Sequence, residues 1–241
     1  MLGLPKNYEQ RKRFNKKLFI SKDESLNIKK KIKDSLLKIS LVGQVQGNNI
    51  PSLVNENFNA SVIMFLEVEV DNINNAKFLN GIFQELLKAF AIIKFYDYRG
   101  NNVYGFGYKR LSKNDKSEIV LESYFVSEVF TEELFDENLE LFERYVDFSN
   151  IKNTNNKLYF YEEMMVKAYV ISNKELWSKW EKILNSNIWY NHSKINKIFK
   201  LLTKAKEIKN KQKKTTNLKE NIGENKELMR IYDEMERVIN E

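Results

Sequence analysis

Ser61-Val-Ile-Met-Phe-Leu-Glu-Val-Glu-Val70 is the strongest strand signal in the chain. Successive side chains of a strand point to opposite faces. Val62, Met64, Leu66, Val68 and Val70 therefore share one face, and Ile63, Phe65, Glu67 and Glu69 share the other. The second face turns from apolar to acidic along its length, which predicts burial at one end and water at the other. Outward from it, residues 75–90 carry Phe78, Leu79, Ile82, Phe83, Leu86, Leu87 and Phe90 at helical spacing, an amphipathic helix. Residues 91–98 and 103–111 flank Arg99-Gly100-Asn101-Asn102. Gly and Asn tolerate the positive φ of a tight turn, so this reads as a β-hairpin, and residues 117–126 add a third antiparallel strand. The class is α+β: a mostly antiparallel sheet packed by helices, followed by a helical C-terminal region.

The remaining chain fits that frame. Residues 2–19 read as an extended arm, and Ser21 to Glu24 offer N-cap candidates for a helix over 24–38. Residues 39–45 read as a strand and 50–58 as a loop. An acidic amphipathic helix is expected over 132–148, an asparagine-rich linker over 150–156, and helices over 158–171 and 175–188. Residues 195–214 form a basic helix, and 221–240 recover an apolar stripe through Leu228, Ile231, Tyr232, Met235 and Val238. The expected division is an α+β domain over 1–149 and a helical region with a charged arm over 150–241.

Composition narrows the chemistry. The chain has 241 residues, 42% of them hydrophobic, enough for a sizeable core. It has no cysteine, which removes disulfides, thiolate metal sites and Cys nucleophiles, and with one histidine, His192, a zinc site would need three carboxylates beside one imidazole, an unusual set. No metal or other cofactor is expected. The N-terminus lacks the apolar stretch of a signal peptide, and no apolar run is long enough to span a bilayer, so the cytoplasm is the expected compartment and no membrane contact is expected. The net charge of +7 is segregated. Residues 1–38 hold twelve Lys/Arg against four Asp/Glu, and 194–219 hold ten lysines against Glu207 alone. Residues 115–147 and 220–241 are acidic. Such a surface suits a partner interface or a polyanion, although a Lys- and Asn-rich composition gives the same counts without function.

Few residues suggest catalysis. Glu67 and Glu69 share a strand face and, with Lys94, Asp97 or Lys109 from the hairpin, suggest a metal-dependent nuclease core. A solvated strand end is the commoner meaning of such a pair. Gly105-Phe-Gly107 lies inside a strand with no helix after it, so it marks a bulge or a close backbone approach, not a phosphate loop. No Walker-type loop occurs. His192 has no Ser or Asp partner by spacing and reads as a helix-boundary residue. Trp177, Trp180 and Trp189 could stack on bases but sit among leucines and isoleucines as core residues do. The candidate binding residues are Lys194, Lys197, Lys200, Lys204, Lys211, Lys213 and Lys214, suited to phosphates without base readout. The competing reading is a hairpin in which this basic helix packs on the acidic helix after it, with a break near 215–223.

Several segments together resemble a known family: Met1-Leu-Gly-Leu-Pro5 with Lys16-Lys17, the hairpin from Ala91 to Lys109-Arg110, Ile119-Val-Leu-Glu-Ser123, and Lys204-Ala-Lys-Glu with Asn225-Lys-Glu-Leu228. They resemble a bacterial family, domain of unknown function family 4391. The resemblance implies a setting beside helicases and DNA methyltransferases of restriction or phage-defence islands, and it carries over no catalytic residue. The expected function is then a non-catalytic accessory protein of such a system. It would contact a helicase or methyltransferase component and, through the arm, nucleic acid. The alternatives are the nuclease above and a structural dimerisation module that would form a homodimer.

Overall fold

The computed structural model describes residues 1–21, 24–131, 136–214 and 218–241. The chain forms two compact units, Met1–Met165 and Val166–Glu241. The first carries strands β1 (Glu9–Arg13), β2 (Leu36–Val45), β3 (Leu53–Val54), β4 (Asn59–Ala60), β5 (Ile63–Val70), β6 (Phe90–Tyr96), β7 (Asn101–Leu111), β8 (Ile119–Val126) and β9 (Phe130–Thr131). Its helices are α1 (Leu26–Ser35), α2 (Ala76–Leu86) and α3 (Glu137–Val146), and α4 (Lys157–Ile171) begins here and ends in the second unit. Among the described residues the main sheet has seven strands in the order β1-β2-β5-β6-β7-β8, with β9 also on β7, while β3 and β4 pair separately. Among the described residues only β5 and β6 run parallel, and α2 is the crossover that parallel neighbours require. The α+β class is as expected.

The alternation in β5 sets the two faces. Leu66, Val68 and Val70 enter a core with Leu79 and Phe83 of α2 and with Ile93 and Phe95 of β6. The Phe83 ring meets Phe19 at 4.7 Å and Phe95 at 6.1 Å. Burying side chains of this size contributes about 1.5–3 kcal/mol each, so the α2 stripe holds the crossover in place. On the other face Phe65 meets Phe148, which meets Phe160 at 4.7 Å. The apolar end of that face is closed and its acidic end is not.

Gly105 and Gly107 serve a close approach. A Cβ at Gly105 would lie 2.4 Å from Asn80 Oδ1, and one at Gly107 would lie 2.8 Å from Gln84 Cγ. The space lets Asn80 Nδ2 donate to the carbonyls of Phe106 (3.1 Å) and Phe125 (2.9 Å). Here the β6–β7 ladder stops, its last pair being Ile93 with Gly105. Side chains replace the missing rungs. Gln84 Nε2 donates to the Ala91 carbonyl at 3.0 Å. Tyr161 Oη accepts from the Gly107 amide at 2.9 Å, and its single proton faces the carbonyls of Gly107 (2.9 Å) and Ala91 (3.3 Å). Lys109 Nζ, 2.8 Å from the Leu87 carbonyl and 3.0 Å from that of Ala89, ties down the chain leaving α2. Burial pushes its pKa down to about 7.

Some boundaries differ from the sequence reading. The helix over 75–90 ends at Leu86, because Leu87 turns extended and Phe90 pairs with Ile63 as the first residue of β6. The helix over 24–38 stops at Ser35, and Leu36 pairs with Val70. Ser25, not the earlier candidates, caps α1 by accepting from Ile28 N; Lys22 and Asp23 lie outside the described residues. The extended arm contains β1, which pairs with β2 as a sheet edge. Residues 132–135 of the acidic helix also lie outside the described residues, and α3 starts at Glu137 behind the Asp136 cap. In the expected linker, Asn153 and Asn156 are buried and belong to the first unit.

In the second unit, 175–188 is not one helix: α5 (Trp180–Asn185) sits between 3-10 turns at Lys174–Leu176 and Ile188–Tyr190. α6 (His192–Gln212) and α7 (Leu218–Asn240) then pack as an antiparallel hairpin. Ile195, Ile198, Leu202 and Ala205 face Leu228, Ile231, Met235 and Val238, all buried, at the alternating three- and four-residue spacing of a coiled-coil seam. Gly223 lies inside α7 rather than at a break, and Thr215–Asn217 lie outside the described residues. No described helix is long and apolar enough to cross a membrane.

Candidate functional site: a basic sheet edge and an adjoining cleft

The wet end of the sheet presents two polar rows. Register places Ser40, Glu67, Lys94 and Tyr104 side by side, and next to them Lys38, Glu69, Tyr96 and Asn102. A cleft of about 530 Å³ opens there, lined by Glu67, Lys94, Asn102, Tyr104, Glu143 and Asp147 together with the first residues of the chain. The Tyr104 ring stacks on Phe142 of α3 at 5.6 Å, which fixes one wall. The Tyr96 phenol is pushed above its ordinary pKa by burial and then by Glu69 and Glu67.

The remaining wall is a strained turn. Leu2 has φ 44° and Gly3 has φ 58°. A bulky residue in the left-handed region costs on the order of 1–3 kcal/mol and persists only where its surroundings enforce it. Here the Phe148 amide donates to the Leu2 carbonyl at 2.9 Å, and the Leu2 side chain is buried. Gly3 abuts the Asp147 carboxylate so closely that a Cβ would lie 2.2 Å from it.

Beside the cleft runs a basic edge. All five residues of β1 are exposed. Arg11, Lys12, Arg13 and Lys38 line a groove of about 360 Å³ that shares Glu67 with the cleft. Arg13 and Lys38 also line a further hollow of about 380 Å³ with Lys16, Lys17 and Lys33. Among the described residues, no carboxylate forms an ion pair with Arg11, Lys12, Arg13, Lys33 or Lys38.

The arm lysines are placed differently. Lys197 pairs with Glu234 at 2.9 Å, Lys204 with Glu227 at 2.6 Å and Lys211 with Glu224 at 3.1 Å, each across the α6–α7 hairpin. Hydrogen bonding to Lys204 and Lys197 holds the Glu227 and Glu234 carboxyls below their ordinary pKa. Lys194, Lys200, Lys213 and Lys214 form no ion pair among the described residues.

Of the carboxylate–lysine set, Glu67, Glu69 and Lys94 share the wet face. Asp97 is committed to its turn, accepting from the amides of Arg99 (2.9 Å) and Asn101 (3.2 Å), and Lys109 is buried beside α2. Among the described residues, no group of three or more His, Asp or Glu is positioned to hold a metal ion. His192 is the first residue of α6, with Nε2 3.0 Å from Asn196 Nδ2. Trp177 and Trp189 are buried, and Trp180 lies beneath Lys174. Asn102, Tyr104 and Asp147 were not legible as site residues, because only sheet register and the path after α3 bring them to Glu67. The basic edge had a signal in the charge of residues 1–38.

Fold and site together define an α+β protein with a basic sheet edge beside a cleft that holds three carboxylates. The chain belongs to the family described as Domain of unknown function (DUF4391), whose model matches residues 2–235. Neither the curated proteins nor the solved structures contain a match to it.

Proposed function

We propose that this chain is a non-catalytic accessory protein that holds nucleic acid along the basic edge of its sheet for a DNA-acting defence system. The single observation behind the contact surface is the set of basic side chains along β1, exposed and without carboxylate partners. Cations of this kind bind phosphates by releasing counterions, without reading sequence. The same charges keep an open edge strand from pairing with another chain. The defence setting, with a helicase or methyltransferase partner, rests on the resemblance drawn from the sequence. The arm contributes less than its lysine count suggests, because Lys197, Lys204 and Lys211 already face carboxylates.

The test is fluorescence anisotropy with labelled single-stranded DNA and the full chain. Replacing Arg11, Lys12 and Arg13 together by Ala should weaken binding at least tenfold, while replacing Lys197, Lys204 and Lys211 by Ala should change it less than threefold. Equal losses from both sets, or no binding by the parent protein, would defeat the proposal. A second reading, a nuclease, is favoured by one observation: Glu67 and Lys94 stand side by side in a cleft that the basic groove adjoins. Magnesium-dependent cleavage that disappears in Glu67→Gln would establish it in place of the accessory role.

A further inference from the structure

Asn102 is 2% exposed, lines the cleft, and its Nδ2 has no hydrogen-bond acceptor among the described residues. Buried amide donors are rarely left in that state. A ligand seated against Asn102 would give Nδ2 the acceptor it lacks. The cleft also carries Glu67, Glu143 and Asp147 against Lys94 and the amino group of Met1. Asp147 Oδ1 already accepts from the Ser149 amide and hydroxyl, and the remaining carboxylate oxygens suit a ligand that brings donors. The excess of carboxylates disfavours a phosphate inside. Phosphates belong instead on the basic groove, which meets the cleft at Glu67.

We propose that the cleft takes an unstacked nucleobase with an amino group next to a ring acceptor, presented by a single strand whose phosphates lie along β1. Adenine and cytosine offer this pair through N6 with N1 or N7 and through N4 with N3, and guanine offers N2 and N1 donors beside O6. Thymine and uracil present a lone imide N–H between two carbonyls and fit a carboxylate-rich wall poorly. A cleft of about 530 Å³ is of the size that small-ligand sites commonly have. Single strands are commonly read in this way, by taking out unstacked bases while the backbone is held by charge. The inference rests on the edge-binding reading and adds base selectivity to it.

The experiment compares twelve-nucleotide oligomers of deoxyadenylate, deoxycytidylate and thymidylate on the full chain at one salt concentration. The first two should bind at least tenfold tighter than the third. Asn102→Asp, which removes the donor at nearly constant shape, should erase that preference and leave thymidylate binding in place. Equal binding of all three oligomers by the parent protein overturns base selectivity and leaves the edge reading standing; binding of none overturns the edge reading. If Asn102→Asp does not fold, adenosine is titrated into the isotope-labelled parent protein. Shifts of the Asn102 side-chain amide and the Gly3 backbone amide support the cleft site, and their absence at millimolar adenosine overturns it.

Discussion

The Tyr161 hydroxyl takes the place of a β-ladder rung, accepting from the Gly107 amide at 2.9 Å where β6 and β7 have parted. Its phenol is held well above the ordinary tyrosine pKa, chiefly by burial, so it stays protonated and can also donate to a carbonyl. Tyr161→Phe keeps the ring against Phe90 and Phe106 but leaves a buried amide without an acceptor. The expected cost is about 1–3 kcal/mol, read as a lower urea midpoint. An unchanged midpoint would mean that the seam finds another partner.

Gly105 and Asn80 are coupled through space. Gly105→Ala would push on Asn80 Oδ1 from 2.4 Å and disturb its bonds to the Phe106 and Phe125 carbonyls. Overpacking of this kind costs about 1–3 kcal/mol. With Asn80→Ala already present the same change should cost much less, so a double-mutant cycle should show strong coupling. Additive losses would contradict the packing described for this strand.

Lys109 gives a signed pH dependence. Its pKa falls from 10.5 to about 7 on burial, and the neutral amine still has two donors for the Leu87 and Ala89 carbonyls. Between those two values the unfolded chain binds the proton and the folded chain does not. Lys109 therefore makes stability rise with pH across that window, and its penalty is fully present below about pH 7. Chemical denaturation from pH 7 to 10 should show this rise, on the order of a few kcal/mol, and Lys109→Met should flatten it. A parallel rise in the variant would place its origin elsewhere.

In the α6–α7 hairpin, packing outweighs charge. Ile231 is buried in the seam, whereas the Lys204–Glu227 pair is exposed to water that screens it. Ile231→Ala should loosen the hairpin by about 2–4 kcal/mol. Lys204→Ala should barely change it. Hydrogen exchange of α7 amides distinguishes the two, and a larger effect from Lys204→Ala would reverse the ranking.

How much was legible follows from the range of each signal. Local periodicity gave β5, the crossover helix and the hairpin after it, because each is written within a few residues. The two faces of β5 also followed, since Phe65 and Glu67 lie two apart. Helix ends did not: Phe90 continues the spacing of α2 yet belongs to β6, and Leu36 continues that of α1 yet belongs to β2. In both places sheet pairing overrides local preference. The cleft was half legible. Glu67 and Lys94 stood out by residue type, but Asn102 joins them only through β6–β7 register and Asp147 only through the chain after α3. The arm lysines drew attention by number, and their carboxylate partners became visible only in the packed hairpin.

The central claim, that nucleic acid lies along β1, is tested most directly by the salt dependence of single-stranded DNA binding. Each phosphate contact contributes about 0.7 to the slope of log K against log salt. Replacing Arg11, Lys12 and Arg13 together by Ala should lower that slope by about 2, while the fold, judged by circular dichroism, stays intact. A slope unchanged in this variant, with binding retained, would contradict the account.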